Sequence, residues 1–503
     1  MPNPVGVMDY GRGQNASKNH NIYGNFYFVI QPIKDLKFRS NFGFNASAWS
    51  YRAYKPEFDL GPVDMNPEDE VRQNSGNGLG WTFENTLSYT FKINTDHTFD
   101  ALIGTSAERW GLGESVSGKN VNSVFGDFNH AFLDNTALLD IAKIELGGGP
   151  GGRGGILSYF GRINYNYQEK YMGTVVFRAD GSSNFAKGNR WGYFPSVSAG
   201  WVMSNEEFME TTREWMDFLK LRASWGQNGN QSIDAFQYLA TISFKESEYF
   251  IGAKDNKVVG AYPDILPNPD VTWETSEQID LGVDARFLNS RLSLAFDWYK
   301  KTTRDWLVPA PILASYGTGA PYINGGDVVN KGIELSLNWN DRVEDFTYSV
   351  TANLSHNKNE ITRIANNEGI IRSEVNLNYG EEGFPRAQVG YPISYFWGYK
   401  TDGIFQNHEE IQNYKNADGQ VIMPTAQPGD VKFVDLNGDG VIDDKDKTNI
   451  GDPNPDIIFG LNFSFGYKGF DLNITTNGVL GNQIFYNFHG NPTENYTTEI
   501  LGR

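Results

Sequence analysis

A strict two-residue alternation between apolar and polar side chains, repeated in segment after segment, constrains this chain more than any other feature. Across 81–92 one face reads Trp81, Phe83, Asn85, Leu87, Tyr89 and Phe91, and the other reads Thr82, Glu84, Thr86, Ser88, Thr90 and Lys92. Successive residues of a strand point to opposite faces, so this stretch is a strand with one apolar and one hydrophilic side. The same pattern recurs over 21–31, 36–51, 98–110, 157–167, 171–180, 191–203, 218–226, 273–287, 291–307, 332–340, 346–361, 457–467 and 470–480. In 157–167 Phe160 interrupts an otherwise polar face of Ser158, Arg162 and Asn164. Some fourteen amphipathic strands with hardly any helix to cover them pose the question of what their apolar faces touch.

The connections supply an answer. Those at 32–35, 94–97, 169–170, 289–290, 341–345 and 468–469 are short; those at 51–79, 111–155, 308–331 and 362–456 are long. Short and long connections alternate because successive hairpins end on opposite rims of an up-and-down sheet. One rim of tight turns and one of long loops is the asymmetry of an outer-membrane barrel. No apolar run reaches the roughly 18 residues of a membrane helix, so a membrane role here requires strands that close on themselves. The expected fold is therefore an all-β, antiparallel up-and-down transmembrane β-barrel.

Other features narrow the function. A net charge of −19 over 503 residues argues against a nucleic-acid partner, which needs a basic face. The absence of cysteine excludes disulfide and thiolate chemistry. The six histidines, His20, His97, His130, His356, His408 and His489, show no metal-ligand spacing, and there is no nucleophile elbow, so no enzymatic activity is expected. Ser204 with Glu207 reads as a capping box that opens a helix, its apolar face running from Phe208 to Leu219, on the tight-turn rim. The glycine-rich stretch 147–155 lacks the Lys-Ser/Thr ending of a phosphate loop and reads as a flexible loop.

The strongest local motif lies in 435–446. Asp435, Asn437 and Asp439 stand at positions one, three and five, Gly440 at six, Val441 at seven with its carbonyl, Asp443 at nine and Asp446 at twelve. This is the oxygen-ligand spacing of a calcium loop, with Asp in place of the usual Glu at position twelve. The expectation is a structural calcium that staples the loop; an acidic, solvated turn without an ion is the alternative. Loop aromatics at Tyr249, Phe250 and Tyr262, and in the cluster Tyr395, Phe396, Trp397 and Tyr399, suit either ligand stacking or loop packing. No substrate-binding residue is assigned.

Several longer motifs carry a family likeness. They are 158–165 (SYFGRINY), 177–185 (FRADGSSNF), 192–201 (GYFPSVSAGW), 218–226 (FLKLRASWG), 267–274 (PNPDVTWE), the 429–433 lead (GDVKF) into the acidic loop, and 453–459 beyond it. In these the chain resembles the barrel of SusC/RagA-type TonB-dependent outer-membrane transporters over nearly its whole length. The resemblance implies a 22-stranded barrel, an N-terminal plug on which TonB pulls, a SusD-type surface lipoprotein as partner, and a glycan or sometimes a peptide as cargo.

Against that pattern the sequence shows no signal peptide, TonB box or plug, and about fourteen strands. It is expected to be a partial barrel over 1–503, with 362–456 as a long extracellular loop region carrying the acidic loop. Polar faces such as Arg162, Asn164 and Asn166 are expected to line a hydrated interior, and Trp81, Phe83 and Leu87 to meet outer-membrane lipid. The rival classes are a surface glycan-binding adhesin, built as a soluble sandwich, and a passive porin. A sandwich would use short connections at both ends.

Overall fold

The computed structural model describes residues 14–485, apart from 61–64, 138–140, 244–247, 251–256, 311, 313 and 373–383, together with Val5, Met8 and Asp9. Fourteen long strands follow one another in chain order within a 16-stranded sheet. They are β1 (Asn15–Ile33), β2 (Leu36–Lys55), β3 (Glu70–Ile93), β4 (His97–Trp110), β5 (Gly154–Tyr167), β6 (Tyr171–Ser182) and β7 (Trp191–Val202). The series continues with β8 (Met216–Asn230), β9 (Glu274–Phe287), β10 (Leu292–Arg304), β11 (Gly326–Val343), β12 (Phe346–Ile364), β13 (Ile457–Tyr467) and β14 (Phe470–Leu480). The all-β, antiparallel, up-and-down order is the one read from the alternation. No helix among the described residues is long and apolar enough to cross a membrane.

The chain divides into two compact units: Met1–Gln168, Gly173–Ser196 and Gln231–Trp273 in the first; Glu169–Met172, Val197–Asn230 and Glu274–Arg503 in the second. In the first, β3 pairs with β2 along its length, Leu36 opposite Tyr89 and Lys55 opposite Glu70. Its lower half pairs with β4, but its upper half, 70–77, pairs with Glu114–Val121, which in turn pairs with Glu145–Pro150. The wall thus forks into a separate hairpin above β4. In the second unit β8 to β14 pair in sequence; the β10–β11 register runs unbroken from Leu292 opposite Trp339 to Thr303 opposite Val328, and β8–β9 and β11–β12 each carry one irregularity.

Tight turns join the strands at one rim and need backbone bent the left-handed way. Asp35, Asn94, Glu169, Asn289, Glu344 and Lys468 all have positive φ, between 45° and 69°. Such residues match the turn to the right-handed twist of the strands it joins.

Two sequence expectations are corrected here. The helix expected from Ser204 to Leu219 is instead two 3-10 turns, Met203–Asn205 and Glu207–Thr212, neither with a side-chain cap. From Met216 onward the backbone pairs with β9. An isolated helix of this length is marginal, whereas the sheet satisfies one backbone group after another. The glycine run is likewise not wholly a loop. Gly147, Gly148 and Gly149 lie in a strand opposite Ser117, Val116 and Ser115. Gly148 has φ 152°, and a Cβ there would collide with the Ser115 carbonyl, so the pairing depends on a bare backbone.

Candidate functional site

The two faces of the wall have different chemistry. On the apolar face Phe83, Leu87, Ile103, Ile163, Val175 and Phe177 of the first unit are exposed to a degree soluble proteins avoid over such an area, Ile163 at 53%. The second unit repeats this with Ile279, Leu281, Phe296, Trp298 and Leu354. Along β9 the apolar face extends from Ile279 to Phe287, about 27 Å of strand at about 3.4 Å per residue. At a tilt of about 40° that is a band of about 21 Å, near the height of a barrel's lipid-facing belt. Above it the same face turns ionic: Glu277 accepts from Trp225 Nε1 at 2.9 Å and pairs with Arg304 at 3.2 Å.

Aromatic rings collect at the tight-turn end of this band. In the first unit Phe91 stacks on Tyr89 and Phe99 at 5.5 and 5.0 Å, Phe99 lies 4.9 Å from Tyr165, and His97 Nδ1 is 2.8 Å from the Tyr165 hydroxyl. In the second unit Tyr171 stacks on Trp201, Trp215 on Phe287, and Phe346 on Phe465. Rings with polar tips at the strand ends are suited to a membrane–water boundary.

The opposite face is a web of hydrogen bonds. Asp100 on β4 accepts from Thr90 on β3 at 3.1 Å, and from Arg162 and Asn164 on β5 at 3.3 and 3.2 Å; Asn164 in turn accepts from Thr174 on β6 at 3.0 Å. Arg162 and Asn164 thus lie on the polar face, as expected, while Phe83 and Leu87 lie on the apolar one. Phe160, the interruption of that polar face, lies over Gly104, where a Cβ would stand 2.5 Å from its ring, and beneath the Arg178 guanidinium at 5.5 Å.

A charge cluster crosses β8–β10. Arg222 holds Asp284 through Nε at 2.8 Å and Nη2 at 3.0 Å, then reaches Asp297, a strand further, with Nη1 at 2.9 Å. Gly282 stands between Arg222 and Asp297 in the register, and a Cβ there would strike both side chains. That glycine opens the path for the guanidinium to span three strands.

The described parts of the 365–456 connection are folded. Strands Ile370–Arg372, Pro385–Gln388, Tyr395–Tyr399 and Lys447–Gly451 form one small sheet, Thr401–Ile404 pairs with Val431–Phe433, and a short helix, His408–Asn413, is capped by Asn407. Val328, Ile361, Ile364 and Ala387 pack together where it meets β11 and β12. Its aromatic cluster is packing: Tyr395 is fully buried, Phe396 stacks on Phe384 at 5.1 Å, Trp397 lies under Arg386 at 4.2 Å, and Tyr399 meets Phe433 at 5.4 Å. The side chains of Tyr249 and Phe250 lie outside the described residues; Tyr262 is partly buried.

Within this connection the acidic turn is wound by its own amides. Asp435 accepts from Gly438 N at 2.7 Å and Gly440 N at 2.8 Å, Asn437 Oδ1 from Asp439 N at 2.9 Å, and Asp439 Oδ1 from Val441 N at 3.0 Å. Asp443 caps the turn that follows, accepting from Lys445 N. Asp446 is fully buried and accepts from Leu436 N and Asp443 N, each at 2.8 Å. The Asp443 amide, with those of Leu436 and Asn437, holds the Asp446 carboxyl below the ordinary range against its desolvation. The turn therefore brings Asp435, Asn437 and Asp439 into succession and ties Asp443 to Asp446. The Lys445 ammonium lies 3.4 Å from Asp443 and 3.7 Å from Asp439. Among the described residues no three His, Cys, Asp or Glu side chains converge as a metal site.

The comparisons with known proteins agree with this architecture. The family model described as "TonB dependent receptor-like, beta-barrel" matches residues 3–440. TonB-dependent receptor P3 of Formosa agariphila is 31% identical over 95% of this chain and 45% of its own length. TonB-dependent receptor SusC of Bacteroides thetaiotaomicron is 32% identical over 69% of this chain and 33% of its own. The chain spans about half the length of the first of these relatives. In fold it is similar to the RagAB peptide transporter, with a TM-score of 0.76, 23% identity, and coverage of 93% of this chain and 48% of that one. An apolar belt edged by aromatics, a hydrogen-bonded polar face and a family match over most of the chain lead to one conclusion: the chain belongs to the TonB-dependent receptor β-barrels of the outer membrane.

Proposed function

We propose that the chain supplies barrel wall to a TonB-dependent importer of glycans, which works with a SusD-type surface lipoprotein and is driven by TonB through a plug rather than through the wall. The observation that carries this reading is the two-faced wall. Its apolar belt suits lipid, and its polar face offers carboxylates, amides and guanidinium groups suited to a hydrated passage. The wall is a scaffold and conduit, not a catalyst. Peptides are the other cargo class, and the test separates the two.

The test follows a tagged full-length protein through cell fractionation and measures uptake of labelled oligosaccharides and labelled peptides, with and without TonB. Outer-membrane recovery and TonB-dependent oligosaccharide uptake are expected. Recovery in a soluble fraction, or surface binding of glycan without uptake, would overturn the importer reading in favour of an adhesin. Uptake of peptides alone would reassign the cargo.

The acidic turn suits a structural calcium. Its donors, Asp435, Asn437, Asp439, the Val441 carbonyl, Asp443 and Asp446, are all hard oxygens, and hard cations take six to eight of these. A carboxylate oxygen that accepts one amide keeps a lone pair for an ion. Calcium would displace the Lys445 ammonium from Asp439 and Asp443, and would bind the small sheet to the turn rather than take part in any reaction.

A further inference from the structure

A cavity of about 490 Å³ opens in the described part of the 365–456 connection, walled by 400–402, 414–417, 422, 434, 435 and 438. It shares Asp435 and Gly438 with the acidic turn, but its character is set by other residues. Two acids stand on its wall, and one of them is paired with a lysine. Asp402 lies 2.7 Å from Lys432 Nζ, a bond that holds the carboxyl below and the ammonium above their ordinary values. Asp435 accepts one amide on each oxygen, from Gly438 and Gly440, and keeps its charge toward the acidic turn.

The bases are only partly compensated: Lys400 acts electrostatically on Asp402, but that acid is already paired with Lys432. Lys400 and Lys415 line the same cavity, both are exposed, and neither forms an ion pair with a described residue. Their backbones are held: the Lys400 carbonyl accepts from Val434 N at 2.9 Å, and Lys415 bridges Val421. Two lysines without an ion pair on one concave surface stand out in a chain whose net charge is −19. Thr401 adds a hydroxyl to the same wall, whereas the Asn416 carbonyl is occupied by the amides of Asp418 and Gln420. The free donors are therefore cationic or hydroxylic, and the volume falls within the range of about 300–1,000 Å³ for small-molecule sites.

We propose that this cavity is a subsite for an acidic saccharide, with Lys400 and Lys415 receiving the oxyanion of its carboxylate or sulfate group. The proposal rests on the importer reading and narrows its cargo. An ammonium makes a charge-assisted hydrogen bond to such an oxygen, stronger than one between neutral groups. A neutral sugar would leave both ammonium groups with water.

The test is calorimetry on the full-length protein in detergent, at fixed calcium, with trigalacturonate, a carrageenan disaccharide that carries sulfate and no carboxylate, maltotriose and triglutamate as probes. Either acidic saccharide, or both, is expected to bind, with affinity falling as salt rises, and the one that binds identifies the oxyanion. The Lys400→Gln/Lys415→Gln variant, with unchanged circular dichroism, is expected to lose at least tenfold in affinity for it. Several results would overturn the proposal: no binding of either acidic saccharide, equal affinity in the variant, maltotriose bound as tightly, or triglutamate bound more tightly. Binding does not require transport. Intact acidic-saccharide binding by a protein found outside the outer membrane would therefore refute the importer reading alone.

Discussion

Replacing Asp446 with alanine is the sharpest single test of how the acidic turn is held. The side chain is fully buried, and its two oxygens accept amides from opposite ends of the turn, Leu436 N and Asp443 N, both at 2.8 Å. Alanine leaves those two amides without acceptors. Each unsatisfied buried amide costs about 1–3 kcal/mol. Water can reach the exposed flanks of the turn, so the lower part of the summed range applies, about 2–4 kcal/mol of local stability. At about 1.4 kcal/mol per decade this is roughly 30- to 700-fold in the opening equilibrium. Hydrogen exchange of peptides covering 431–451 reads it directly, with the wall strands as an internal standard that should not change. Asp446→Asn, which keeps one acceptor, should fall between the two. The pH dependence has a definite sign. The folded carboxyl titrates below its ordinary value of about 3.9, so its contribution is fully present above that value and is lost as pH falls through the lower, folded one. Exchange of Leu436 and Asp443 within threefold of wild type in the alanine variant would refute the argument.

Ile163→Lys places a charge on the exposed apolar face and should cost about 2–4 kcal/mol if near the midplane, read from denaturant unfolding in lipid vesicles. Asn164→Lys on the other face should cost far less, and equal costs would refute the assignment of faces. Gly282→Val should push Arg222 off Asp297 at a cost of about 1–2 kcal/mol, discounted because both groups are partly exposed. Adding Asp297→Asn should then cost little more, and full additivity would show that the bridge is not what the glycine protects. Calcium should bind the acidic turn in calorimetry and be lost in Asp439→Ala. Lys445→Gln should tighten it severalfold, because the lysine ammonium occupies the same carboxylates; weaker binding in that variant would refute the competition.

Strand existence, the two faces and the alternation of short and long connections were legible in the sequence because each follows from neighbours two residues apart or from the length of a gap. The helix expected after Ser204 failed for the complementary reason. Capping and periodicity are local signals, and the pull of β9 on Met216 and its neighbours comes from residues some 70 positions away. The hairpin of 114–121 with 145–150 was hidden in the same way, its second strand disguised as a glycine-rich loop.

The candidate sites divide along the same line. The acidic turn is contiguous, so the side chains that wind it, from Asp435 to Asp446, all fall within one short stretch of sequence. The cluster of Tyr395, Phe396, Trp397 and Tyr399 could not be assigned, because ligand stacking and loop packing need the same residues; only the burial of Tyr395 and the rings around it decided for packing. The Arg222–Asp297 bridge joins positions 75 apart across a glycine with no side chain to announce it. Sequence alone determined that this protein is a wall with a wet face and a greasy face, because a strand's side-chain period is a property of the backbone. Only the tertiary structure decided which charges meet and which are left free, because charge pairing depends on distance in space, and that is set by strand register.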